Sequence, residues 1–294
     1  MSIPQSQLEI WSHQGSITQS STTYATVKRS LEASDANYAG KSFQVFLQGS
    51  YGNDTNIYAE SDVDVVILLD SIYYYDIEDL TPDEQARFNA ALTPGTYPYA
   101  NYKADVNAAL LRSFGATDVH PDKKAIKIKA NGGRRSADVV VATEFQRYSS
   151  FPGIPDRGIC LFTSTGERIV NYPKQHSANC TAKHQATLGQ FKPMVRIFKN
   201  MRTRLVADGA IQQGIAPSYF LEGLLYNVPN EKFRGTYDDM FVVAINWILE
   251  ADRTNFVCAN EHHYLLRDSA AICWPPGNCD RFLNALTKLW NEWS

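Results

Sequence analysis

Short apolar runs with a period of two predict strands in the first half of the chain. Residues 41–50, KSFQVFLQGS, form one such run that ends in a Gly-Ser turn, and residues 61–70, SDVDVVILLD, form a second. Residues 123–145 contain two more alternating runs around the turn Asn131-Gly132-Gly133, which is the arrangement of a hairpin. These runs predict a mixed or antiparallel sheet.

Apolar residues spaced three and four apart predict helices in the rest of the chain. The helix that starts at Thr81 has a residue type favoured at N-caps, followed by Pro82 and two acids, and the next helix stops at Gly115. The helical stretches that this spacing predicts are 5–36, 81–92, 102–115, 181–208, 217–227, 237–251 and 279–293.

The composition shifts near residue 150, where a Pro- and Gly-rich connector, SSFPGIPDRGIC, precedes a mainly helical region. We therefore expect an α+β fold with two domains. Residues 1–150 form a sheet-based core, and residues 151–294 form a mainly helical lobe. The first helix is expected to pack across both lobes, and a cleft between lobes is a common place for a small-molecule site.

The bulk properties exclude several classes of protein. The 294 residues carry a formal net charge of −3, so no global basic field is available to hold a long nucleic acid. We expect no membrane span, since no run of about 18 apolar residues occurs, and the N-terminus does not resemble a signal peptide. The five cysteines are an odd number in a chain without an export signal, which indicates reduced thiols and a cytoplasmic protein.

Three aspartates stand in strands that are otherwise apolar. Asp62 and Asp64 are two residues apart, so both side chains point to one face of their strand. Asp138 stands in a third strand, in the sequence ADVVVA. Because unpaired buried carboxylates are costly, a positive partner is expected, and hard oxygen ligands favour Mg²⁺. We predict that these aspartates are catalytic and hold two Mg²⁺ ions, with Mn²⁺ as the alternative.

The Gly49-Ser50 turn fits the same chemistry. It follows a strand and precedes the strand that carries the Asp-Val-Asp sequence. Glycine lets the backbone approach a phosphate closely, and Ser50 supplies a hydroxyl and an N–H group. A Gly-Ser pair alone is weak evidence, whereas Gly-Ser, Asp-x-Asp and a third strand aspartate together are specific.

The sequence resembles a known family at these motifs. GSYGNDTNIYAESDVDVVI and ADVVV are similar to the DNA polymerase β-like nucleotidyltransferases, whose palm is a mixed sheet. Together with VNYPKQH, FKNMRTRL and APSYFLEGLLYNVP, they resemble the cGAS/DncV-like nucleotidyltransferases (CD-NTases), and among them the CdnE clade. The resemblance covers nearly the whole chain and is weakest at 72–135 and after 255.

The resemblance implies a cyclic dinucleotide synthase of CBASS anti-phage defence, cytoplasmic and monomeric, whose product activates a downstream effector. It implies that the Gly49-Ser50 turn, Lys199 and Ser218 contact the donor phosphates and that Tyr219 stacks on a base. Asn171 matches an asparagine that reads uracil, which implies a pyrimidine-containing product, cyclic UMP–AMP or cyclic di-UMP, from UTP and ATP. A carboxamide suits that role because it offers both a donor and an acceptor.

Structural alternatives remain open for the residues that the resemblance adds. Lys199 could belong to a solvated helix face, Ser218 could be a helix cap, Tyr219 could pack in a core, and Asn171 could be a turn residue. At the level of function, a linear nucleotidyltransferase acting on RNA or protein and a non-catalytic nucleotide sensor are the alternatives. A zinc site is a minor alternative at the C-terminal Cys and His residues Cys258, His262, His263, Cys273 and Cys279.

Overall fold

The strands form a seven-stranded mixed sheet. We describe a computed structural model over residues 2–15, 17–59, 62–268 and 272–293. The strands are β1 (Phe43–Leu47), β2 (Val63–Asp76), β3 (Val119–Pro121), β4 (Ile126–Ile128), β5 (Ala137–Arg147), β6 (Asp156–Phe162) and β7 (Arg168–Asn171). The helices are α1 (Gln5–Ser12), α2 (Thr18–Leu31), α3 (Gly49–Gly52), α4 (Pro82–Ala91), α5 (Tyr99–Phe114), α6 (Pro173–Ala186), α7 (Phe191–Ala207), α8 (Ser218–Tyr226), α9 (Tyr237–Glu250) and α10 (Pro276–Asn291).

The strand order β1-β2-β5-β4-β3 places the two long strands, β2 and β5, beside each other. They pair in parallel, whereas β1 with β2, β4 with β5 and β6 with β5 pair antiparallel. On the side of β5 opposite β2, β4 pairs with the start of β5 and β6 pairs with its end. β7 pairs with β6. The prediction of an α+β fold with a mixed sheet is therefore confirmed.

β2 and β5 are central because they are nearly continuous runs of Val, Ile and Leu. Such runs suit strands that are covered on both faces. Along β2, residues 65–69 are all buried, and along β5 the same holds for residues 139–143. The helices α2 and α5 pack together and both contact these strands.

Two predicted long helices are each divided. The predicted helix over 5–36 is α1 and α2, and between them Gly15 passes so close to Ile57 that a Cβ atom would come 2.6 Å from its backbone carbon. The predicted helix over 181–208 is α6 and α7, divided where Leu188 and Gly189 have φ of 53° and 86°. Apolar residues continue across the second break, whereas the polar run SHQGS at 12–16 could have indicated the first.

The predicted start of α4 and the predicted end of α5 are confirmed. Thr81 caps α4 with a capping box to Glu84, and Gly115 ends α5 with φ of 79°. The segment predicted as a connector is a connector only at its start, since β6 and β7 follow from residue 156. Within the described residues, no helix combines the length and apolar composition that crossing a membrane requires.

The chain divides into two compact units. One consists of Met1–Ile17, Gly49–Glu60 and Lys174–Ser294, and the other of Thr18–Gln48 and Ser61–Pro173. The first unit is helical, with its core around α7, and the second contains the sheet. Units defined by contacts need not coincide with evolutionary domains, so the division into 1–150 and 151–294 stays a prediction.

Candidate active site

Two of the predicted aspartates are direct neighbours across the β2–β5 pair. Asp64 is the register partner of Asp138. Because neighbouring strands lie about 4.8 Å apart and register partners share a face, the two carboxylates lie side by side. Asp62 precedes β2 by one residue, and its Oδ1 accepts a hydrogen bond from Ser136, two residues before Asp138. The structure thus brings the three aspartates to the same end of the sheet.

The electrostatics of this cluster disfavour an additional negative charge. Burial raises the pKa of Asp138, the negative charge of Asp62 raises it further, and the positive charge of Lys127 opposes both effects. The result is a pKa above the ordinary aspartate value. A carboxylate in this situation gains from a nearby cation, and three hard oxygen donors suit a divalent metal ion. The residues present therefore fit such an ion.

Lys127 was not predicted as a site residue. Lys127 lies in the basic stretch 123–135 and is exposed, and β4 pairs with β5 so that Lys127 is the register partner of Asp138. Its Nζ also lies 2.8 Å from Asp122 Oδ2. The period-two pattern could have indicated this position, since Lys127 stands between Ile126 and Ile128, which are buried on the opposite face.

The Gly49-Ser50 turn forms the single helical turn α3, directly after β1 and Gln48. Gly49 has φ of 65°, a left-handed conformation that favours glycine. Lys199, whose side chain is fully buried, donates from Nζ to Ser50 Oγ at 2.7 Å and to the carbonyl oxygen of Thr55 at 2.8 Å. The structure therefore brings together two of the residues predicted to contact the donor phosphates.

Three cations on successive turns of α7 contact the segment that follows this turn. Lys192 Nζ lies 2.9 Å from Asp54 Oδ2, and Arg196 donates to the carbonyl oxygen of Asp54 at 2.6 Å. Lys199 is the third of these cations. Because they are spaced by four and three residues, they share one face of the helix. Lys199 is thus not part of a solvated face.

A buried carboxylate, Glu222 on α8, accepts hydrogen bonds from the same segment. Asn53 Nδ2 donates to Oε2 at 3.0 Å, and the hydroxyl of Thr55 donates to Oε1. His176 Nε2 lies 2.6 Å from Oε2. Burial raises the pKa of Glu222, but the hydrogen bond from His176 and the positive charge of Lys199 outweigh this effect, so the pKa lies below the ordinary value.

Neither Glu222 nor its partners were predicted as site residues. The signal was available in the sequence, because Glu222 is a charged residue in the apolar run SYFLEGLLY. A charge in an apolar element is the feature that singled out Asp64 and Asp138. Asn53 and Thr55 lie between two motifs, in a stretch without periodicity, so only their partners in the fold identify them.

Ser218 and Tyr219 begin α8. Ser218 Oγ accepts a hydrogen bond from Arg202 at 3.3 Å. The ring of Tyr219 stacks on that of His176, with centroids 4.8 Å apart and an interplanar angle of 22°, and its hydroxyl accepts from Asn260. The tyrosine is therefore partly buried against the helical core, with His176 stacked on its ring and Phe220 edge-on to it at a centroid distance of 5.4 Å.

Asn171 is the last residue of β7 and is half-buried. Its Oδ1 accepts a hydrogen bond from the backbone N–H of Tyr172 at 2.8 Å. This bond fixes which end of the carboxamide faces the backbone. The Nδ2 group and the second lone pair of Oδ1 are the atoms that can serve a base.

The cysteines are buried. His176, Cys180 and Glu222 offer ligand atoms that all lie within 4.8 Å of one another. Burial raises the pKa of Cys180 well above its ordinary value, which favours the neutral thiol. Among the residues that the structure describes, the C-terminal Cys and His residues considered for zinc form no such group of three.

Comparison with known proteins decides the family. The model of the cGAS/DncV-like nucleotidyltransferase C-terminal helical domain matches residues 178–291. The cyclic UMP-AMP synthase of Rhodothermus marinus is 38% identical over 297 residues, which cover 100% of this chain and 99% of that protein. The chain belongs to the cGAS/DncV-like nucleotidyltransferases. The predictions of the family and of a nucleotidyltransferase are therefore confirmed.

Two further comparisons show which members of the family this chain resembles. The solved structure of the R. marinus CdnE c-UMP-AMP synthase with Apcpp and Upnpp is 37% identical and superposes with a TM-score of 0.90, covering 99% of this chain and 98% of that one. The cyclic dipurine nucleotide synthase of Elizabethkingia meningoseptica is 34% identical and covers 87% of each chain. Enzymes of the CdnE type are thus similar to this chain over most or all of its length. Enzymes of the CD-NTase family generally need a divalent metal ion.

Proposed function

We propose that this CD-NTase joins nucleoside triphosphates into a cyclic dinucleotide that contains at least one pyrimidine. The observation that carries the proposal is the full-length similarity to the R. marinus cyclic UMP-AMP synthase. UTP and ATP are the proposed substrates, and cyclic UMP–AMP or cyclic di-UMP is the proposed product. The product is a second messenger in CBASS anti-phage defence, acting on a downstream effector, and the enzyme is a cytoplasmic monomer.

Asp62, Asp64 and Asp138 are the proposed catalytic residues and would hold two Mg²⁺ ions, with Mn²⁺ as a substitute. Bound divalent ions supply charge neutralisation at the reacting phosphate and a lower pKa for the attacking hydroxyl. The side-by-side placement of Asp64 and Asp138 and the raised pKa of Asp138 support this assignment. Lys127, on the neighbouring strand β4, offsets part of the negative charge beside Asp138.

Ser50 and Lys199 are the proposed contacts for the donor triphosphate. Gly49 allows the backbone to turn closely there, and Lys199 presents a positive charge to Ser50 Oγ. A lysine ammonium is a point charge suited to phosphate oxygens. Ser218, at the start of α8, is proposed as a third phosphate contact.

The reaction has two similar steps. A ribose hydroxyl of the acceptor nucleotide attacks the donor α-phosphorus, an O–P bond forms, and the bond to pyrophosphate breaks. Asp138 is the carboxylate proposed to take up the hydroxyl proton, because its raised pKa makes it more basic than an ordinary aspartate. The linear dinucleotide then turns around and closes in the same way, releasing a second pyrophosphate. Positioning and charge neutralisation supply most of the rate enhancement.

Asn171 and Tyr219 are the proposed contacts for the bases. A carboxamide can pair with the N3–H and a carbonyl of uracil. A tyrosine ring such as that of Tyr219 can stack on any base, an interaction worth about 1–3 kcal/mol. The similar E. meningoseptica enzyme is a cyclic dipurine synthase, so overall identity alone does not select the bases.

The proposal is tested by incubating the pure protein with all four nucleoside triphosphates and Mg²⁺ and identifying small products by mass. We expect a phosphatase-resistant cyclic dinucleotide with a uridine. A labelled RNA or protein without a small cyclic product would favour a linear transferase. Nucleotide binding without pyrophosphate release would favour a nucleotide sensor.

A further inference from the structure

The segment that carries the Ser50 turn has little regular structure of its own. After α3 it continues through Asn53, Thr55 and Asn56, whose side chains are 5%, 0% and 0% exposed. Buried polar groups in an irregular segment require partners, because leaving one unsatisfied costs about 1–3 kcal/mol. The conformation of the turn therefore depends on the side chains that supply those partners.

Glu222 supplies partners to two of these residues at once. Its two oxygens accept from Asn53 and Thr55, which are two positions apart in the segment. The backbone carbonyl of the same Thr55 accepts from Lys199, and Lys199 also donates to Ser50. Glu222 thus connects, through Thr55, to both residues that we assign to the donor phosphates.

A third side chain, His176, also holds Glu222 in place. The side chain of Glu222 is 2% exposed, and the side chain of His176, 4% exposed, binds Oε2. His176 is in turn covered by the ring of Tyr219, on the same helix as Glu222. A carboxylate held in this way has little freedom to move, so it can fix the geometry of the groups that donate to it.

We propose that Glu222 is a positioning residue, which orders the 49–56 segment so that Ser50 and Lys199 can bind the donor triphosphate. This inference rests on the proposed function, since it concerns the same donor site. It assigns to Glu222 no contact with the substrate. The role requires two acceptor oxygens at one place, which a carboxylate provides and a carboxamide does not.

His176, Cys180 and Glu222 could instead be considered as ligands of a metal ion, because their ligand atoms lie close together. The hydrogen bonds of Glu222 favour the positioning role. Both oxygens of Glu222 already accept hydrogen bonds. The thiol of Cys180 would have to lose a proton whose pKa burial raises well above the ordinary value. The positive charge of Lys199 near Glu222 also opposes a divalent cation.

The first test compares Glu222→Gln with the wild type. The amide nitrogen of glutamine faces groups that themselves donate, so at least one of the three hydrogen bonds to residue 222 is lost. We expect the KM for the nucleoside triphosphates to rise at least about tenfold, the factor that corresponds to one such loss. The kcat should fall less. Glu250→Gln, at the exposed end of α9, is the matched control and should keep both constants.

A second pair of variants keeps the test informative if Glu222→Gln does not fold. Thr55→Val removes the hydroxyl that donates to Glu222, with little change in shape, while Thr55→Ser keeps a hydroxyl. In both variants the backbone carbonyl that binds Lys199 remains. We expect Thr55→Val to raise the KM about threefold to tenfold and Thr55→Ser to stay within about twofold of the wild type.

The outcomes separate positioning from a merely structural role. A structural role would lower the melting temperature and the active fraction, and hence the apparent kcat, while the KM stayed unchanged. Folded Glu222→Gln with the wild-type KM, or equal KM values for Thr55→Val and Thr55→Ser, would overturn the inference.

Binding of a non-hydrolysable ATP analogue, measured by calorimetry, separates this inference from the proposed function. A wild type that binds the analogue but makes no cyclic product contradicts the function. In that case a weaker Kd for Glu222→Gln still supports positioning, and an equal Kd overturns it.

Discussion

The aspartate cluster and the Glu222 network are two sets of carboxylates with opposite environments. Glu222 is 2% exposed, whereas Asp138 is half-buried, so burial alone would disfavour the charge of Glu222 more strongly. The pKa shifts are the reverse, because the pKa of Glu222 is lowered and that of Asp138 is raised. The hydrogen-bond partners, rather than depth, decide which carboxylate is stable as an anion.

This difference teaches how a charge in an apolar element can be interpreted. Glu222 is surrounded by donors from the protein itself, so its charge stabilises a fixed geometry. Asp138 stands beside another acid, an arrangement that a divalent cation would stabilise. The first arrangement is typical of a positioning residue and the second of a metal ligand. The predictions below test each side of this contrast.

Replacing two proposed metal ligands should have the largest effect. Asp62→Ala with Asp64→Ala should lower pyrophosphate release at least about 1,000-fold, because metal-held charge stabilisation is worth several kcal/mol. The rate is measured with saturating nucleoside triphosphates and Mg²⁺. Circular dichroism should show an intact fold.

Asp70→Ala is the matched control for this pair. Asp70 is on the same strand β2, and its Oδ2 accepts from Gln44 at 2.8 Å. Its removal should leave the rate within about twofold of the wild type, since surface positions contribute little. A double variant of Asp62 and Asp64 with the wild-type rate would refute the metal assignment.

Removing the buried cation should have the next largest effect. Lys199→Met keeps the apolar stem and removes the charge, so the KM for the donor nucleotide should rise about 10- to 100-fold. Arg204→Met on the same helix is the control, because its exposed pair with Asp208 should contribute little. Steady-state kinetics at several nucleotide concentrations separate KM from kcat. Similar KM values for the two variants would contradict the role of Lys199.

A change of base preference should be smaller. Asn171→Ser removes the Nδ2 donor, so the ratio of kcat/KM for UTP to that for the other nucleotides should fall about tenfold. Competition assays with mixed nucleoside triphosphates, followed by mass analysis of the products, measure this ratio. An unchanged product profile would remove Asn171 from the specificity role.

The smallest expected effect is a gain in stability for Asp138→Asn, a variant that should lose its activity. Because the folded-state pKa of Asp138 is raised, its charge destabilises the fold above that pKa, and the penalty disappears as the pH falls through it. In EDTA at neutral pH, Asp138→Asn should therefore melt about 1–3 °C higher than the wild type, while activity is lost.

The advantage of Asp138→Asn should shrink as the pH falls below the raised pKa of the folded wild type. It should vanish below the ordinary aspartate pKa, where the carboxyl is neutral in both the folded and the unfolded state. Melting curves at neutral and acidic pH measure both results. An equal or lower melting temperature at neutral pH would contradict the raised pKa.

The sequence predicted the parts of the site that depend on local chemistry. The Gly-Ser turn, the strand aspartates and the caps of α4 and α5 follow from residue type and short spacing. The side-by-side placement of Asp64 and Asp138 depends on the strand order. The sequence did not predict that order, because it allowed either a mixed or an antiparallel sheet.

The Glu222 network could not be predicted in the same way. Its members come from α6, α7, α8 and the segment after α3, and about 170 positions separate Thr55 from Glu222. Long-range hydrogen bonds of this kind leave no periodic pattern. The break at Gly189 was also missed, because a glycine inside an apolar stripe costs only about 1 kcal/mol and does not by itself end a helix. The first break could have been indicated by the polar run SHQGS at 12–16.

The most direct test of the central claim is a crystal structure with Mn²⁺ and a non-hydrolysable UTP analogue, with the ions located by anomalous scattering. We expect Mn²⁺ within about 2.3 Å of carboxylate oxygens from Asp62, Asp64 and Asp138, and in contact with the phosphates. Mn²⁺ bound to the phosphates alone, with no carboxylate oxygen as a ligand, would contradict it.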